Sequence, residues 1–235
     1  MAVLTYPGTL AAKINSAGVL LQKAGLLIRE NPTPCTLSEA MSRSRKLDYV
    51  HLWQLLIEKN CFNFVLRDYS IFYFLWNDST GKRSLAFSFY ESPHTVPSAK
   101  EFIAEAYGPE FLDVLSDAEL ESVVPDYEQF VAELPLKKGV TPVRYDYSEA
   151  HYVPGRHPVS HLHVGYDNEM RISVDRILNP LSFVAFILRQ YYPAIWKDHV
   201  LAHHRDGIRG DIRRNLSLVD GAFRVDLDEY ELVLK

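Results

Sequence analysis

The stretch CFNFVLRDYSIFYFLW, residues 61–76, constrains the fold of this chain more than any other, because it is dense in aromatic and β-branched side chains. Such side chains are stiff in a helix and pack well on a pleated surface. The polar run Asn77-Asp78-Ser79-Thr80-Gly81-Lys82 follows, and RSLAFSFYES alternates behind it. Two strand-like runs around a polar, glycine-containing turn specify a hairpin. At this density the aromatic rings read as core rather than as a base-stacking platform.

Helices are expected around the hairpin. Leu10, Ile14, Ala17, Leu20, Leu21, Ala24 and Leu27 share one face of a helix over residues 9–30. Asn31-Pro32-Thr33-Pro34 ends it, since proline disfavours helical geometry in the residue before it. Thr36-Leu37-Ser38-Glu39 has capping-box spacing and opens a second helix through Trp53 and Leu56 to about Lys59. Beyond the hairpin, Pro93 and Pro97 mark a loop, and Ser98–Glu101 and Ser116–Glu119 open two short acidic helices. Thr141–Tyr147 and Val159–Tyr166 read as strands. Asn179-Pro180 caps a helix, LSFVAFILRQYY, that is apolar nearly all round and therefore buried. Pro193 begins or kinks another helix toward His204, and FRVDLDEYELVL alternates as a final strand.

These elements predict one α+β domain over residues 1–235, a mostly antiparallel sheet backed by helices. Residues 1–60 form an N-terminal helical pair, and residues 61–235 carry the sheet and a histidine motif. Val143–Tyr147, Val159–Tyr166 and Phe223–Leu234 are expected in one sheet, with the Pro180–Tyr192 helix packed on it.

The net charge of −5 argues against a general electrostatic grip on nucleic acid, but the charge is uneven. Segment 98–134 carries Glu101, Glu105, Glu110, Asp113, Asp117, Glu119, Glu121, Asp126, Glu128 and Glu133 against Lys100 alone. It reads most simply as a solvated face, and otherwise as a docking surface for a protein partner. Arg205, Arg209 and Arg213 make a helical stripe interrupted by glycines, and Asp206 and Asp211 favour a salt-bridge network over a nucleic-acid groove. Cys35 and Cys61 are the only cysteines, which excludes a disulfide-rich scaffold and fits a reducing compartment. MAVLTYPGTL lacks the basic stretch and apolar core of a secretory signal, and the apolar runs stop short of a membrane span. A cytoplasmic protein with no membrane partner is expected.

The chemistry concentrates in RYDYSEAHYVPGRHPVSHLHVG, residues 144–165, which holds four of the nine histidines. In a strand, residues two apart share a face, so His161 and His163 lie side by side about 6–7 Å apart, with Leu162 and Val164 turned into the core. Arg144 and Asp146 share a face of the preceding strand, and pairing of the two strands would bring them to the histidines. The intervening loop supplies His151, Arg156 and His157, and Arg171 follows the next turn.

Three readings compete. The first is acid–base phosphodiester chemistry, with His157, His161, His163 and Asp146 as catalytic residues and Arg144, Arg156 and Arg171 on the phosphate oxygens. The second is a divalent metal site, with candidate ligands His161 and His163 and, at helical spacing, His199 and His203. The third makes the histidines structural, which is the better reading for any one of them but a weaker one for the cluster. No phosphate-cradling Gly-rich loop, nucleophile elbow or His-Glu-x-x-His helix is present.

At R-Y-D-Y…H-P-V-S-H-L-H-V-G followed by N-P-L-S-F-V-A-F-I-L-R-Q-Y-Y, the chain resembles an uncharacterised bacterial family, domain of unknown function 2290 (DUF2290), over most of its length. That family supplies no reaction to carry over. A looser similarity links Arg144, Asp146, His157, His161 and His163 to histidine-rich toxins of toxin–antitoxin pairs. It implies action on RNA or another nucleotide in a toxin or antiphage-defence setting. The alternative is a non-catalytic subunit of a defence or other cytoplasmic complex, docking through its acidic helices.

Overall fold

Strands β3 (Ile71–Asn77) and β4 (Ser84–Tyr90) form the predicted hairpin, in continuous antiparallel register from Ile71↔Tyr90 to Asn77↔Ser84. The computed structural model describes residues 4, 6–36, 47–78, 82–97, 133–167, 170–201, 215–224 and 233–234, and the isolated positions 101, 104, 108, 130 and 210. The first half of the aromatic run is a separate strand, β2 (Phe64–Leu66), and not an extension of β3. Between them, Asp68 Oδ1 accepts from the Ser70 backbone N–H at 3.0 Å, and Tyr69 takes a left-handed φ of 62°. That side-chain-to-backbone bond closes a turn inside an otherwise apolar run.

Helix α1 spans Gly8–Lys23 and stops short of the expected residue 30. Gly25, with φ of 68°, donates to Gln22, and Leu26 donates to the Leu21 carbonyl, so the last carbonyls are satisfied by a left-handed glycine cap. The chain then extends as β1 (Leu27–Glu30), which pairs antiparallel with β2. The sheet therefore begins before residue 61. Helix α2 (Tyr49–Glu58) is capped by Asp48, whose side chain accepts from the His51 N–H. The capping box expected at residues 36–39 falls largely outside the described residues, as do both acidic capping boxes, nearly all of segment 98–134 and the Arg205–Arg213 stripe.

Strand β5 (Val143–Ser148) adds to β4, β6 (Ser160–Val164) adds to β5, and β7 (Ile172–Val174), absent from the sequence-based expectation, adds to β6. The described residues make one eight-stranded sheet in sequential order, antiparallel except at its last pair. There β8 (Val233–Leu234) runs parallel to β7. The final strand expected from Phe223 is shorter at its start: Gly221–Phe223 is a 3-10 turn held by Asp220, and residues 225–232 lie outside the described residues.

Helix α3 (Pro180–Tyr191) forms as expected, with a reciprocal capping box between Asn179 and Ser182 and proline in the first turn. It and α1 cover one sheet face over Phe72, Phe74, Phe87, Phe89, Tyr145 and Leu162. Phe183 stands edge-on to Phe72 at 6.1 Å. The chain continues through α4 (Pro193–Ile195) into a π-helical turn, Trp196–Leu201. On the opposite face, α2 packs Leu52, Trp53 and Leu56 on Val65, Ile71 and Tyr73, and its Tyr49 ring stands edge-on to Tyr166 at 5.3 Å. The β5–β6 side of that face carries polar residues instead. None of the described helices is long and apolar enough to cross a membrane.

Candidate functional site

Antiparallel pairing places Arg144 opposite His163 and Asp146 opposite His161, so the four side chains emerge on one face from two adjacent strands. The neighbours on either side are small. Ala86 faces Asp146 across β4, Ser88 faces Arg144, and Ser173 of β7 faces His161. Short side chains in the flanking strands leave lateral room for two imidazoles and a guanidinium. Sequence reasoning missed Ser88 and Ser173. The alternation of RSLAFSFYES carried the signal for the first, since Ala86 and Ser88 share a face.

The group converges on one oxygen. Arg144 Nε and Nη2 each donate to Asp146 Oδ2 at 2.8 Å. His163 Nε2 lies 3.4 Å and His161 Nε2 3.9 Å from the same atom. The two Nε2 atoms are 3.0 Å apart. His161 Nδ1 sits 2.8 Å from the Pro158 carbonyl, which can only accept, so that nitrogen carries the hydrogen. Neutral His161 therefore presents a lone pair at Nε2, and the donor of the 3.0 Å contact is His163.

Both imidazoles are buried, although they lie on the sheet face opposite Leu162 and the aromatic core. His161 is 1% and His163 8% exposed, while the Arg144 side chain is half exposed. The covering comes from the loop before β6, where the His157 ring stands edge-on to His161 at a centroid distance of 4.8 Å. Burial pushes the His161 pKa down to about 4, against the pull of the Asp146 charge, with His163 and His157 adding to the fall. Burial also disfavours the charged form of Asp146, but the His163 hydrogen bond and the Arg144 charge together outweigh it and hold the carboxyl below its usual range.

The loop folds back on itself, with Val153 and His157 exchanging backbone hydrogen bonds of 3.0 and 2.8 Å. Gly155 takes φ of 66° there, and Arg156 is exposed at the tip. His157 Nδ1 is buried with no hydrogen-bond partner among the described residues. Its pKa is lowered by burial first, then by the charges of Arg171 and His151. His151 is anchored by a 2.9 Å contact between its Nδ1 and Ser148 Oγ. The structure thus gathers Arg144, Asp146, His157, His161 and His163, sets Arg171 within electrostatic reach, and leaves Arg156 on the adjacent turn.

Asp146, His161 and His163 each offer one donor atom, and the three atoms lie within 4.8 Å of one another. His199 is exposed on the π-helical turn and does not belong to this group; His203 lies outside the described residues.

Fold and site together define an α+β protein whose antiparallel meander carries a buried carboxylate–imidazole cluster. The family model described as an uncharacterized conserved protein (DUF2290) matches residues 27–223, and the chain belongs to that family. The matched span runs from β1 to the 3-10 turn and contains every residue of the cluster. Neither the curated proteins nor the solved structures yield a match, and the looser toxin likeness finds no support in these comparisons.

Proposed function

We propose that this protein processes phosphodiester bonds of RNA or another nucleotide at the β5–β6 face. One observation carries the reading: Asp146 Oδ2 is met by Arg144 at 2.8 Å and by two imidazole nitrogens at 3.4 and 3.9 Å. A carboxylate held in this way orients an acid, a base and a cation at once, and orientation is a large part of catalysis. Arg144 uses two N–H groups on Asp146 and has three more for the oxygens of a phosphate. Arg171 and Arg156 add positive charge beside it. A local cationic cluster selects an anionic substrate even on an acidic chain.

His163, the donor of the imidazole pair, can protonate a leaving oxygen. His161 keeps a lone pair but is a weak base with its pKa near 4, and general bases serve best near the working pH. Metal-free acid–base chemistry is therefore the poorer version of this mechanism.

Tag-free protein incubated with labelled RNA and single-stranded DNA, with and without chelator, tests the proposal. Cleavage of either substrate that disappears in the His163→Ala variant supports it. No cleavage, with or without added divalent metal, overturns it in favour of a non-catalytic interaction subunit.

A further inference from the structure

We infer that Asp146, His161 and His163 form an open binding site for one divalent transition-metal ion, with Zn²⁺ the best match to the donor set. The three donor atoms form a triangle with sides of 3.0, 3.4 and 3.9 Å. The circle through such a triangle has a radius of about 2.0 Å, and zinc binds imidazole nitrogen and carboxylate oxygen at about 2.0–2.2 Å. A cation at or just above the plane of the three atoms lies at normal bond length from each, once the hydrogen on His163 Nε2 is displaced and that ring carries its hydrogen on Nδ1 instead. Hydrogen bonding alone would need only pairs of close atoms, not three converging on one point.

The surroundings fit a ligand set. A metal-binding histidine commonly donates its other ring N–H to a backbone carbonyl, which fixes the tautomer. His161 does this through Nδ1 to Pro158, so its Nε2 lone pair is the one that faces Asp146 and His163. Arg144 donates twice to the same Oδ2, so an ion there would share that oxygen with the guanidinium or displace one of its two hydrogen bonds. Two imidazoles argue against Mg²⁺ and Ca²⁺, which take oxygen ligands, and the lack of sulfur argues against a soft ion.

Three protein ligands leave a fourth position open, as in catalytic rather than structural zinc sites. His157, with its buried Nδ1 unpartnered among the described residues, packs edge-on against the His161 ring at 4.8 Å. A doubly charged ion with Asp146 and Arg144 gives a site charge of about +2, which calls for an anionic occupant. As a reaction, the site rests on the phosphodiester reading: Asp146, His161 and His163 would hold the ion, which would supply an activated water. The water oxygen would bond to phosphorus as the P–O ester bond breaks, with one water proton going to the leaving oxygen, the other to the new phosphate group or solvent, and no change in the metal's oxidation state.

The test is direct binding to full-length, tag-free, metal-stripped protein, with Zn²⁺ followed by calorimetry and Co²⁺ by its visible absorption. The expected result is one ion per chain, a tetrahedral or five-coordinate Co²⁺ spectrum displaced by Zn²⁺, and at least 100-fold weaker binding in Asp146→Ala and His163→Ala. Circular dichroism establishes that the variants fold, and the wild-type Co²⁺ spectrum decides the matter should either unfold. Absence of tight binding by wild type overturns the site. So does undiminished binding in the folded variants, or binding lost on replacing His199. Metal binding without any cleavage leaves the site standing and removes the phosphodiester reading, whereas cleavage in chelator by a protein that binds no metal does the reverse.

Discussion

Mild acid should destabilise the metal-free protein, and His161 should account for a measurable share of the loss. Its imidazole is 1% exposed and has a folded pKa near 4, against 6.5 for a free ring. The unfolded chain takes up the proton first, so stability is complete above about pH 6.5 and falls as the pH drops toward 4. The full shift corresponds to about 3 kcal/mol. Between pH 7 and pH 5 it amounts to about 2 kcal/mol, a large fraction of the stability of an ordinary domain. His157, also shifted downward, acts in the same direction, while Asp146, lowered from a carboxylate value, matters only at lower pH. Urea denaturation of wild type and His161→Gln at both pH values, in chelator, isolates the His161 part. Wild type should lose about 2 kcal/mol more than the variant over this interval. An equal loss in both proteins would show that His161 is protonated in the folded state, and the reasoning from its burial would fail.

Leu162 alternates with the two histidines and is buried on the α1–α3 face, so Leu162→Ala should cost about 2–5 kcal/mol in chemical denaturation while leaving Co²⁺ binding intact. Asn179→Ala removes the cap of α3 and should cost about 1 kcal/mol, read as a lower denaturation midpoint at unchanged slope. Arg144→Ala should raise KM for a phosphodiester substrate about tenfold or more, the loss expected for a charge-assisted hydrogen bond. An unchanged KM would remove Arg144 from the phosphate.

The hairpin was legible because its two aromatic runs and polar turn agree on one structure, and α3 because Asn179-Pro180 caps a helix in an unambiguous way. Other features were hidden by stronger local patterns. Helical periodicity runs through Gly25 to Leu27, and only the left-handed glycine cap diverts the chain into β1. The apolar run of residues 61–76 conceals the turn closed by Asp68. Strand β7 is three residues long and draws its stability from pairing with β6, which periodicity cannot reveal.

For the site, two-residue alternation placed Arg144, Asp146, His161 and His163 on shared faces, and the strand register joined the two sets. Burial of the histidines was not legible, because it depends on the return of the residue 153–157 loop and on small residues in β4 and β7. That difference matters physically. Exposed imidazoles would titrate near neutrality, whereas burial lowers the His161 pKa to about 4, and both Nε2 atoms lie within 4 Å of Asp146 Oδ2.

The most direct test of the functional account measures phosphodiester cleavage and thermal stability on the same samples of wild type, His163→Gln and Leu162→Ala. The account predicts that His163→Gln loses at least about 100-fold in rate, the lower range for a positioned acid or base. Its melting temperature should stay closer to wild type than that of Leu162→Ala. Undiminished cleavage by His163→Gln, or a melting temperature as low as that of Leu162→Ala, would contradict it and make the histidine cluster a structural feature of the sheet.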